Sequence, residues 1–473
     1  MKKIAATPLP PMLSGKLPLL GHALEFAKDR SGLFRRGYET LGNAFRIKLA
    51  TQTAVVLIGP EFNTLFFKET DKSLDMAKPY AFLKSLIGDV AFAANHETYL
   101  QHRPVLYAPF QRDKMTRYIE VMDETVRKWL KNLPDEGRIE LTEAMNLLVQ
   151  EVAGRTLLGD DFMSKIGPEF WEDYTIIGKA LDPLLPPNLP LPKFIRRDKA
   201  RNRILDALRP ILENRLKHPD AYDDYLQDFL TTAFADGSNP TIDEQLNMIL
   251  ALLFAGHETT AGQAAWTIIQ LLQNPDYLAK VRTELDTEFP IGSKVGPKTM
   301  SKLKHLKWAI DETTRTKPSA DIMIRVADKD LEAGGFFIPK GAAVFVSSEV
   351  SQSIEEIFPN PLSYDPERFD PAQCQHKGVK NAIIGFGGGM HKCPGMNFAL
   401  NEMLTISALL LQSFDLTLET KDPQQRQDMG ASRPTETWIS FKRRPITKHE
   451  MLEGAEIPDS VKAMAIAAGC SHF

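Results

Sequence analysis

A glycine-rich loop around one cysteine, from Phe386 to Gly395, constrains this chain more than any other segment. It reads F-G-G-G-M-H-K-C-P-G in a chain of 473 residues with 26 Phe, 29 Gly and 3 Cys. At those frequencies, the spacing Phe-x-x-Gly-x-x-x-Cys-x-Gly is expected by chance on the order of 10⁻³ times. We therefore treat the loop as a site that the fold must present rather than as a chance turn.

The chemistry of this loop is that of a thiolate. A free cysteine has a pKa of ~8.5, and the N–H groups of a glycine loop and of a following helix stabilise negative charge on sulfur. The glycines Gly387, Gly388 and Gly389 let the backbone approach a flat ligand closely. A single anionic sulfur of this kind is a good axial ligand for haem iron. The alternative is a buried free Cys393 that follows a glycine turn.

This loop resembles the haem-thiolate signature of the cytochrome P450 monooxygenases, and the resemblance extends over roughly residues 15 to 445. It implies a mainly α fold with minor β, in which haem b lies between a long central helix and the cysteine loop. It also implies Cys393 as the axial ligand of the iron, with further loop residues at the cofactor: Phe386, Gly387, Gly389, His391 and Gly395. The family usually has Arg at the position of His391.

Composition places the chain among ordinary globular proteins. Hydrophobic residues are 43% and charged residues 25%, which excludes a disordered chain, a collagen and a coiled-coil rod. Lys+Arg 57 against Asp+Glu 61 gives a net charge of −4, so there is no electrostatic case for nucleic acid. The three cysteines, Cys374, Cys393 and Cys470, cannot form a disulfide framework. We therefore predict a reducing compartment, the cytoplasm.

No segment has the pattern of a signal peptide or of a transmembrane anchor. The first 20 residues are interrupted by Pro8, Pro10, Pro11 and Pro18. The longest apolar run, Met248 to Gly256, ends at His257 and Glu258, whereas a spanning helix needs ~20 apolar residues. The run therefore predicts a buried helix.

Hydrophobic periodicity predicts a helix-rich chain with strands near both ends. Strands are predicted at 44–49, at 54–59 and between Val326 and Val346, and helices at Met115–Leu133, Glu140–Leu158, Asp243–Gln273, Thr299–Lys317 and Pro394–Phe414. Thr241 and Glu244 predict a capping box. We predict a single domain over residues 1–473, with a proline-rich segment over about 1–20 and a tail of unknown role over 444–473.

The stretch Asp182 to Phe194, D-P-L-L-P-P-N-L-P-L-P-K-F, carries five prolines among leucines. It cannot form one helix, because proline lacks the backbone N–H and clashes with the preceding turn. Two interpretations are open: a packed loop between helices, or an apolar rim over a substrate entrance.

The segment A-G-H-E-T-T, from Ala255 to Thr260, interrupts the most apolar predicted helix. A charge inside such a helix is costly unless it is used or solvated, so the alternative is a helix face that emerges into water. The segment resembles the oxygen-activating motif of the P450 family. The resemblance implies that Thr259 hydrogen-bonds activated oxygen and that Glu258 relays protons from solvent, because cleavage of the O–O bond consumes two protons at a buried site.

Glu312 and Arg315 lie three residues apart on a predicted helix, where they can pair on one face. Taken alone, the default is a solvated surface pair. The later segment Y-D-P-E-R-F, from Tyr364 to Phe369, resembles the family segment that supplies a second arginine, Arg368. The resemblance implies a buried Glu312–Arg315–Arg368 network that supports the cofactor core without taking part in catalysis.

Four residues are candidate partners for the haem carboxylates. Arg325 matches the arginine on a family strand, and Tyr99-x-x-x-Arg103 resembles a helix motif that usually has Trp in place of Tyr. The others are His391 and Tyr80. Lone arginines are most often surface residues, and these positions gain weight from their order relative to the other motifs.

Within the family, the sequence is most similar to soluble bacterial members of the sterol 14α-demethylase branch. The similar segments run from Asp182 to Arg201 and from Ile324 to Ala327. The branch usually has His-Thr-Ser where this chain has Glu258-Thr259-Thr260.

The resemblance implies a monooxygenase that inserts one atom of O2 into a hydrophobic small molecule. No flavin, nicotinamide or Fe–S segment is visible in the chain, so a separate ferredoxin or flavodoxin with its NAD(P)H reductase is the implied electron donor. We expect it to dock through the lysines Lys377, Lys380 and Lys392. The alternatives are a peroxide-driven or isomerising haem-thiolate enzyme and, outside enzymes, a haem sensor or electron carrier.

Overall fold

The computed structural model describes residues 7–111, 114–182, 185–290, 293–374, 376–426 and 431–445. These residues form two compact units. The first consists of the chain up to Ala81, of Phe92–His96 and of Asp311–Cys393, and the second of Phe82–Ala91, of Glu97–Ile310 and of the chain from Pro394 onward. The predicted tail lies outside the described residues beyond Pro445, as does Cys470.

Helices make up most of the fold, as the sequence predicts. In chain order they are α1 (Ala23–Leu41), α2 (Pro60–Glu69), α3 (Lys84–Ile87), α4 (His96–Tyr107), α5 (Met115–Asn132), α6 (Leu141–Ala153), α7 (Asp160–Met163), α8 (Pro168–Lys179), α9 (Pro192–Lys217), α10 (Tyr225–Thr231), α11 (Ile242–Gln273), α12 (Pro275–Glu288), α13 (Pro297–Met300), α14 (Lys304–Thr316), α15 (Ser348–Ser351) and α16 (Met396–Ser413). The predicted helix over Glu140–Leu158 is α6 followed by a π-helical turn, Gly154–Leu158.

The strands are short and, apart from the one at Glu136–Glu140, lie between Ala44 and Asp75 or between Ile322 and Arg443. They are β1 (Ala44–Leu49), β2 (Gln52–Leu57), β3 (Leu74–Asp75), β4 (Glu136–Glu140), β5 (Ile322–Ala327), β6 (Leu331–Ala333), β7 (Phe336–Ile338), β8 (Ala343–Ser347), β9 (Phe414–Leu418), β10 (Gln425–Arg426), β11 (Arg433–Pro434) and β12 (Trp438–Arg443). The first unit holds a five-stranded sheet of order β1-β2-β8-β5-β3 and the β6–β7 pair, and the second holds the sheets β4-β12-β9 and β10-β11.

The five-stranded sheet is buried on both faces because its central strands alternate between two apolar clusters. Val55 and Val344 pack with the phenylalanines of α2 on one face. Val56 and Phe345 pack with Phe34 of α1 on the other. Strands that are covered on both faces have continuous apolar sequences rather than alternating ones. The second half of β2, Ala54 to Leu57, has such a sequence. The strand that carries Arg325, β5, lies between β8 and β3 in this sheet.

One predicted helix is divided in the structure. The prediction Thr299–Lys317 is wrong at its start, because α13 ends at Met300 and α14 begins at Lys304. The carboxylate of Glu284 on α12 accepts the backbone N–H groups of His305 (2.8 Å) and Leu306 (3.1 Å). A carboxylate that caps these N–H groups satisfies the donors of a new helix start, and this long-range contact is not visible in the local sequence.

The long helix α11 begins as predicted. The Thr241 side chain accepts the Glu244 N–H (3.3 Å), and the Glu244 carboxylate accepts the Thr241 N–H (2.8 Å). The residues from Met248 to Leu253 are mostly buried in this helix, as predicted, but the predicted run extends to Gly256 and its Ala255 is exposed. Among the described residues, no helix has both the length and the apolar character to cross a membrane.

The capping box of α11 gives a first prediction. Thr241→Ala removes one of the two reciprocal hydrogen bonds and should lower the free energy of unfolding by ~1 kcal/mol. Thr241→Ser keeps the hydroxyl and should unfold like the parent. Urea unfolding followed by circular dichroism measures both, and identical midpoints for Thr241→Ala and the parent would contradict the assignment.

Candidate active site

The cysteine loop of the first unit is closed by its own backbone. The Cys393 N–H donates to the Phe386 carbonyl at 2.9 Å, and the Gly387 N–H donates to the Ile384 carbonyl at 2.8 Å. Gly387 and Gly389 adopt φ of +70° and +64°, a region that residues with a side chain rarely adopt. The loop therefore depends on glycine at these two positions.

The loop lies directly against α2, and glycine allows this approach. A Cβ atom on Gly388 would lie 2.6 Å from the Phe67 ring, and one on Gly389 would lie 3.1 Å from the Phe67 carbonyl oxygen. Cys393 itself is exposed and is not part of a disulfide. The arrangement presents one sulfur on a rigid loop, so the alternative of a buried free cysteine at this position is wrong.

Arg325 on β5 is buried among partners from three segments. Its Nε donates to Thr70 Oγ1 (3.2 Å) and its Nη1 to the Ile324 carbonyl (2.8 Å). The guanidinium carbon lies 4.8 Å from the centre of the Phe66 ring, and Tyr80 also hydrogen-bonds the side chain. The structure thus brings together Arg325 and Tyr80, two of the four residues predicted to face the haem carboxylates.

Neighbouring polar groups stabilise the charged form of Arg325. Burial lowers the pKa of Arg325, and Tyr80, Asp71 and Asp75 oppose this change. A buried guanidinium that is only partly offset by carboxylates is a favourable place for a further anion.

His391 contacts a carboxylate that the sequence analysis missed. Its Nε2 lies 2.5 Å from Asp71 Oδ2, and His96 Nδ1 lies 2.9 Å from the same oxygen. Burial would raise the pKa of the Asp71 carboxyl, but the hydrogen bonds from His391 and His96 outweigh it and hold that pKa below its usual value. Asp71 is therefore ionised at neutral pH and acts as the acceptor.

Glu312, Arg315 and Arg368 meet in the first unit, where all three are almost fully buried. Arg315 Nε and Nη2 donate to the two carboxylate oxygens of Glu312 at 2.7 Å each. Arg368 Nε and the Asp365 N–H donate to Oε1 of the same carboxylate at 3.1 and 3.0 Å. The interpretation of the first pair as a solvated surface pair is therefore wrong.

Removing the shared carboxylate should unfold this region. Glu312→Ala leaves two buried guanidinium groups without their common partner, and breaking a buried pair costs ~3–5 kcal/mol, a large part of the stability of a domain. We expect insoluble or cofactor-free protein. The matched control is Glu355→Ala, which removes an exposed glutamate of the same unit and should leave yield and thermal midpoint unchanged. Soluble, cofactor-loaded Glu312→Ala would contradict the argument.

In the second unit, one turn of α11 differs from the rest of this buried helix. Ala255 is exposed, and a Cβ atom on Gly256 would meet no atom within 4 Å. Thr259 Oγ1 donates to the Ala255 carbonyl at 2.8 Å. The helix therefore offers open space and a hydroxyl group beside it at this turn.

Glu258 points to a polar cleft of about 930 Å³ within the second unit. Its Oε1 lies 3.9 Å from Arg433 Nη1 on β11, and its side chain is 26% exposed. The cleft is also lined by charged and polar groups that include Glu143, Lys179 and Arg426. Glu258 is thus partly solvated and has Arg433 near its carboxylate.

His257, between Gly256 and Glu258, has a structural role. Its Nε2 lies 3.0 Å from the Asn146 carbonyl of α6, and its ring packs edge-on against Tyr174 at 5.6 Å. Burial lowers the pKa of His257. The ring is therefore neutral at pH 7 and links α11 to α6.

Arg103 lies on α4 in the second unit. Its guanidinium carbon is 4.5 Å from the centre of the Tyr107 ring, and it hydrogen-bonds the hydroxyl of Tyr99. Burial is the main cause that raises the pKa of Tyr99. The Tyr99-x-x-x-Arg103 motif is thus a local pair on successive turns of one helix.

The residues present fit a haem group. The chemistry of the donors is suitable, with one exposed sulfur on a glycine loop and a buried arginine, Arg325, in the same unit. Sequence reasoning missed Asp71, Thr70 and Arg433, which contact the predicted residues from distant parts of the chain.

Comparison with known proteins agrees with this chemistry. A family model described as "Cytochrome P450" matches residues 10–439. A sterol 14alpha-demethylase of Mycolicibacterium vanbaalenii is 31% identical over 88% of this chain and 93% of that protein. A lanosterol 14-alpha demethylase of Bos taurus is 28% identical over 92% of this chain and 88% of that protein. The retinoic acid-bound structure of cyanobacterial CYP120A1 aligns with a TM-score of 0.82 over 93% of this chain and all of that one, at 24% identity, which shows a shared fold.

Proposed function

The chain belongs to the cytochrome P450 family of haem-iron monooxygenases, and from this premise we propose that it inserts one oxygen atom of O2 into a hydrophobic small molecule, with Cys393 as the axial ligand of a haem b. The observation that carries the proposal is the closed glycine loop, which exposes the sulfur-bearing residue while its N–H is bonded to Phe386. When bound through a thiolate, haem supplies the cleavage of the O–O bond.

The residues that hold the cofactor have distinct tasks in this proposal. The cysteine loop would hold the haem ring through Phe386, Gly387, Gly389 and Gly395, and α11 would do so through Ala255. The haem carboxylates would be bound by Arg325, His391, Tyr80 and Arg103. Burial of Arg325 supports this most strongly, because a desolvated guanidinium gains more from an anion than an exposed one does. Glu312, Arg315 and Arg368 act by fixing the surrounding segments.

Proton delivery is assigned to the exposed turn of α11. The carboxylate of Glu258 would take protons from water in the polar cleft and pass them on, and Arg433, 3.9 Å away, would help to orient it. The Thr259 hydroxyl, which donates to the Ala255 carbonyl at 2.8 Å, would be the donor that directs a proton to the reacting oxygen. A partly exposed carboxylate next to a hydroxyl on one helix is the arrangement that such a relay requires.

A separate redox protein supplies the electrons. We propose a ferredoxin or flavodoxin with its NAD(P)H reductase, docked on the exposed lysines Lys377, Lys380 and Lys392 beside the cysteine loop. Opposite charge across such a surface speeds the encounter of the two proteins. A cytoplasmic location remains the prediction made from the cysteine content.

The substrate class is proposed from the relatives. Proteins named sterol 14-demethylases align with most of this chain at 27–31% identity, so we propose a sterol or a similar hydrophobic molecule, such as a terpenoid or fatty acid.

A ligand screen by difference spectroscopy tests the proposed substrate class. Sterols that bind at the haem should shift the spin state of the iron in the loaded protein. If no hydrophobic ligand changes the spectrum, the result would favour the alternative of an electron carrier.

The ligand assignment predicts a spectroscopic result. Cys393→Ala should abolish the red-shifted Soret band that a thiolate ligand gives to the reduced carbon monoxide complex. Cys374→Ala is the matched control, because Cys374 is the other described cysteine and is also outside any disulfide. Persistence of the band in Cys393→Ala, or its loss in Cys374→Ala, would contradict the assignment.

Substitutions of Thr259 and of Glu258 should impair the reaction in different ways. In a reconstituted system, Thr259→Ala should still consume reductant but release hydrogen peroxide instead of product, because the hydroxyl that directs the proton is absent. Glu258→Gln should slow the whole cycle with little wasted peroxide, because protons arrive more slowly. General acid–base steps contribute ~10²–10⁴-fold, so both effects should be large.

Two variants control for changes in packing on α11. Thr259→Ser keeps the hydroxyl and should stay coupled, and Thr260→Ala alters a buried neighbour and should also stay coupled. Full coupling in Thr259→Ala with loss in Thr260→Ala would move the role to Thr260. Parent-like turnover in both Thr259→Ala and Glu258→Gln would favour the peroxide-driven alternative.

A further inference from the structure

The turn that follows α2 is locked in an unusual backbone conformation. Asp71 adopts φ of +66°, and its N–H donates to the Leu74 carbonyl at 2.8 Å. The N–H groups of Lys72 and Ser73 both donate to the Glu69 carbonyl at 3.0 Å. A non-glycine residue in this region costs free energy unless the surroundings enforce it, and here the hydrogen bonds of the turn do so.

This conformation turns the Asp71 carboxylate toward the cysteine loop. A single oxygen, Oδ2, lies 2.5 Å from His391 Nε2 and 2.9 Å from His96 Nδ1. The side chains of Asp71 and His391 are only 8% and 7% exposed, whereas that of His96 is 41% exposed. A carboxylate bound to one ring nitrogen fixes the orientation of an imidazole and of its other nitrogen. The buried partner, His391, is thus the one whose orientation depends most on Asp71.

The neighbouring residue of the same turn contacts Arg325. Thr70 Oγ1 accepts from Arg325 Nε at 3.2 Å and donates to the Phe66 carbonyl of α2 at 2.8 Å. Two consecutive residues therefore contact two of the proposed cofactor partners, which come from β5 and from the cysteine loop.

We propose that Asp71 is a positioning residue that orients His391 toward the haem carboxylates and so controls how tightly the haem is retained. This inference rests on the proposed function, because it concerns the cofactor that Cys393 would bind. The carboxylate does not touch the cofactor in this proposal; it acts through the imidazole. Outer partners of this kind typically change the affinity of a metal centre by ~10–100-fold.

The experiment measures haem loss from the loaded protein to an excess of a haem-scavenging apoprotein. Asp71→Gly removes the carboxylate and tolerates positive φ, so it should lose haem at least ~10-fold faster than the parent while keeping the thiolate-type carbon monoxide spectrum. Asp71→Asn retains an acceptor oxygen and also tolerates positive φ, and it should recover most of the retention. His96→Ala leaves the bond to His391 in place and should behave like the parent.

A double-mutant cycle separates positioning from a general effect on folding. If Asp71 acts through His391, the variant Asp71→Gly/His391→Ala should lose haem no faster than His391→Ala alone. Additive losses would overturn the inference, as would a parent-like rate in Asp71→Gly. If Asp71→Gly does not fold, Asp71→Ser, which also lacks the carboxylate that contacts His391, takes its place: parent-like retention overturns the inference, and retention as poor as in His391→Ala supports it.

The spectrum of the parent tests the proposed function separately. A parent protein that takes up haem without a thiolate-type spectrum would overturn the role of Cys393 and, with it, the basis of this inference. A normal spectrum in the parent combined with unchanged haem loss in Asp71→Gly would overturn only the role of Asp71.

Discussion

The buried carboxylate of Glu312 is the interaction on which the cysteine-bearing unit depends. It binds Arg315 and Arg368 within a nearly water-free region, and the hydrogen bonds continue from there. Arg315 Nη1 donates to the Gln352 carbonyl at 2.8 Å, and Gln352 Oε1 accepts the Ile384 N–H at 2.7 Å. The Ile384 carbonyl then accepts the N–H of Gly387 in the cysteine loop. An ion pair far from the sulfur in sequence therefore helps to set the loop's shape, since buried groups without partners are costly.

The other side of the loop is held by α2. Glycine allows close packing on Phe67, and the turn after the same helix supplies Thr70 and Asp71 to Arg325 and His391. The loop is thus supported by a charge network through Gln352 on one side and by a helix and its final turn on the other. Both supports belong to the same compact unit. A ligand sulfur benefits from such double support, because an active group performs well only when its surroundings fix it.

Sequence reasoning succeeded where the signal is local and failed where partners are distant. The Cys393 loop and the Thr241 capping box are short patterns that can be recognised locally, whereas the Glu312–Arg315 spacing alone predicts a surface pair and the later Arg368 segment is needed to predict its burial. The break before α14 depends on Glu284, which lies 21 residues before its partner His305. Asp71 lies 320 positions from His391. The residues around Asp71 in the sequence do not indicate this contact, although Asp tolerates positive φ better than most residues do. Contacts of this kind follow from the tertiary fold, so a single sequence does not reveal them.

Three glutamates of this chain show how environment decides the role of one side chain. Glu312 is buried with two arginines, so its charge is neutralised and it serves the structure. Glu402 on α16 is buried, its Oε1 has no hydrogen-bond partner, and burial raises its pKa well above the usual value, so its surroundings favour the neutral form. Glu258 is partly exposed to a polar cleft and has Arg433 3.9 Å away. Of these three side chains, that of Glu258 is the one that reaches water, and a group that accepts and releases protons needs this access.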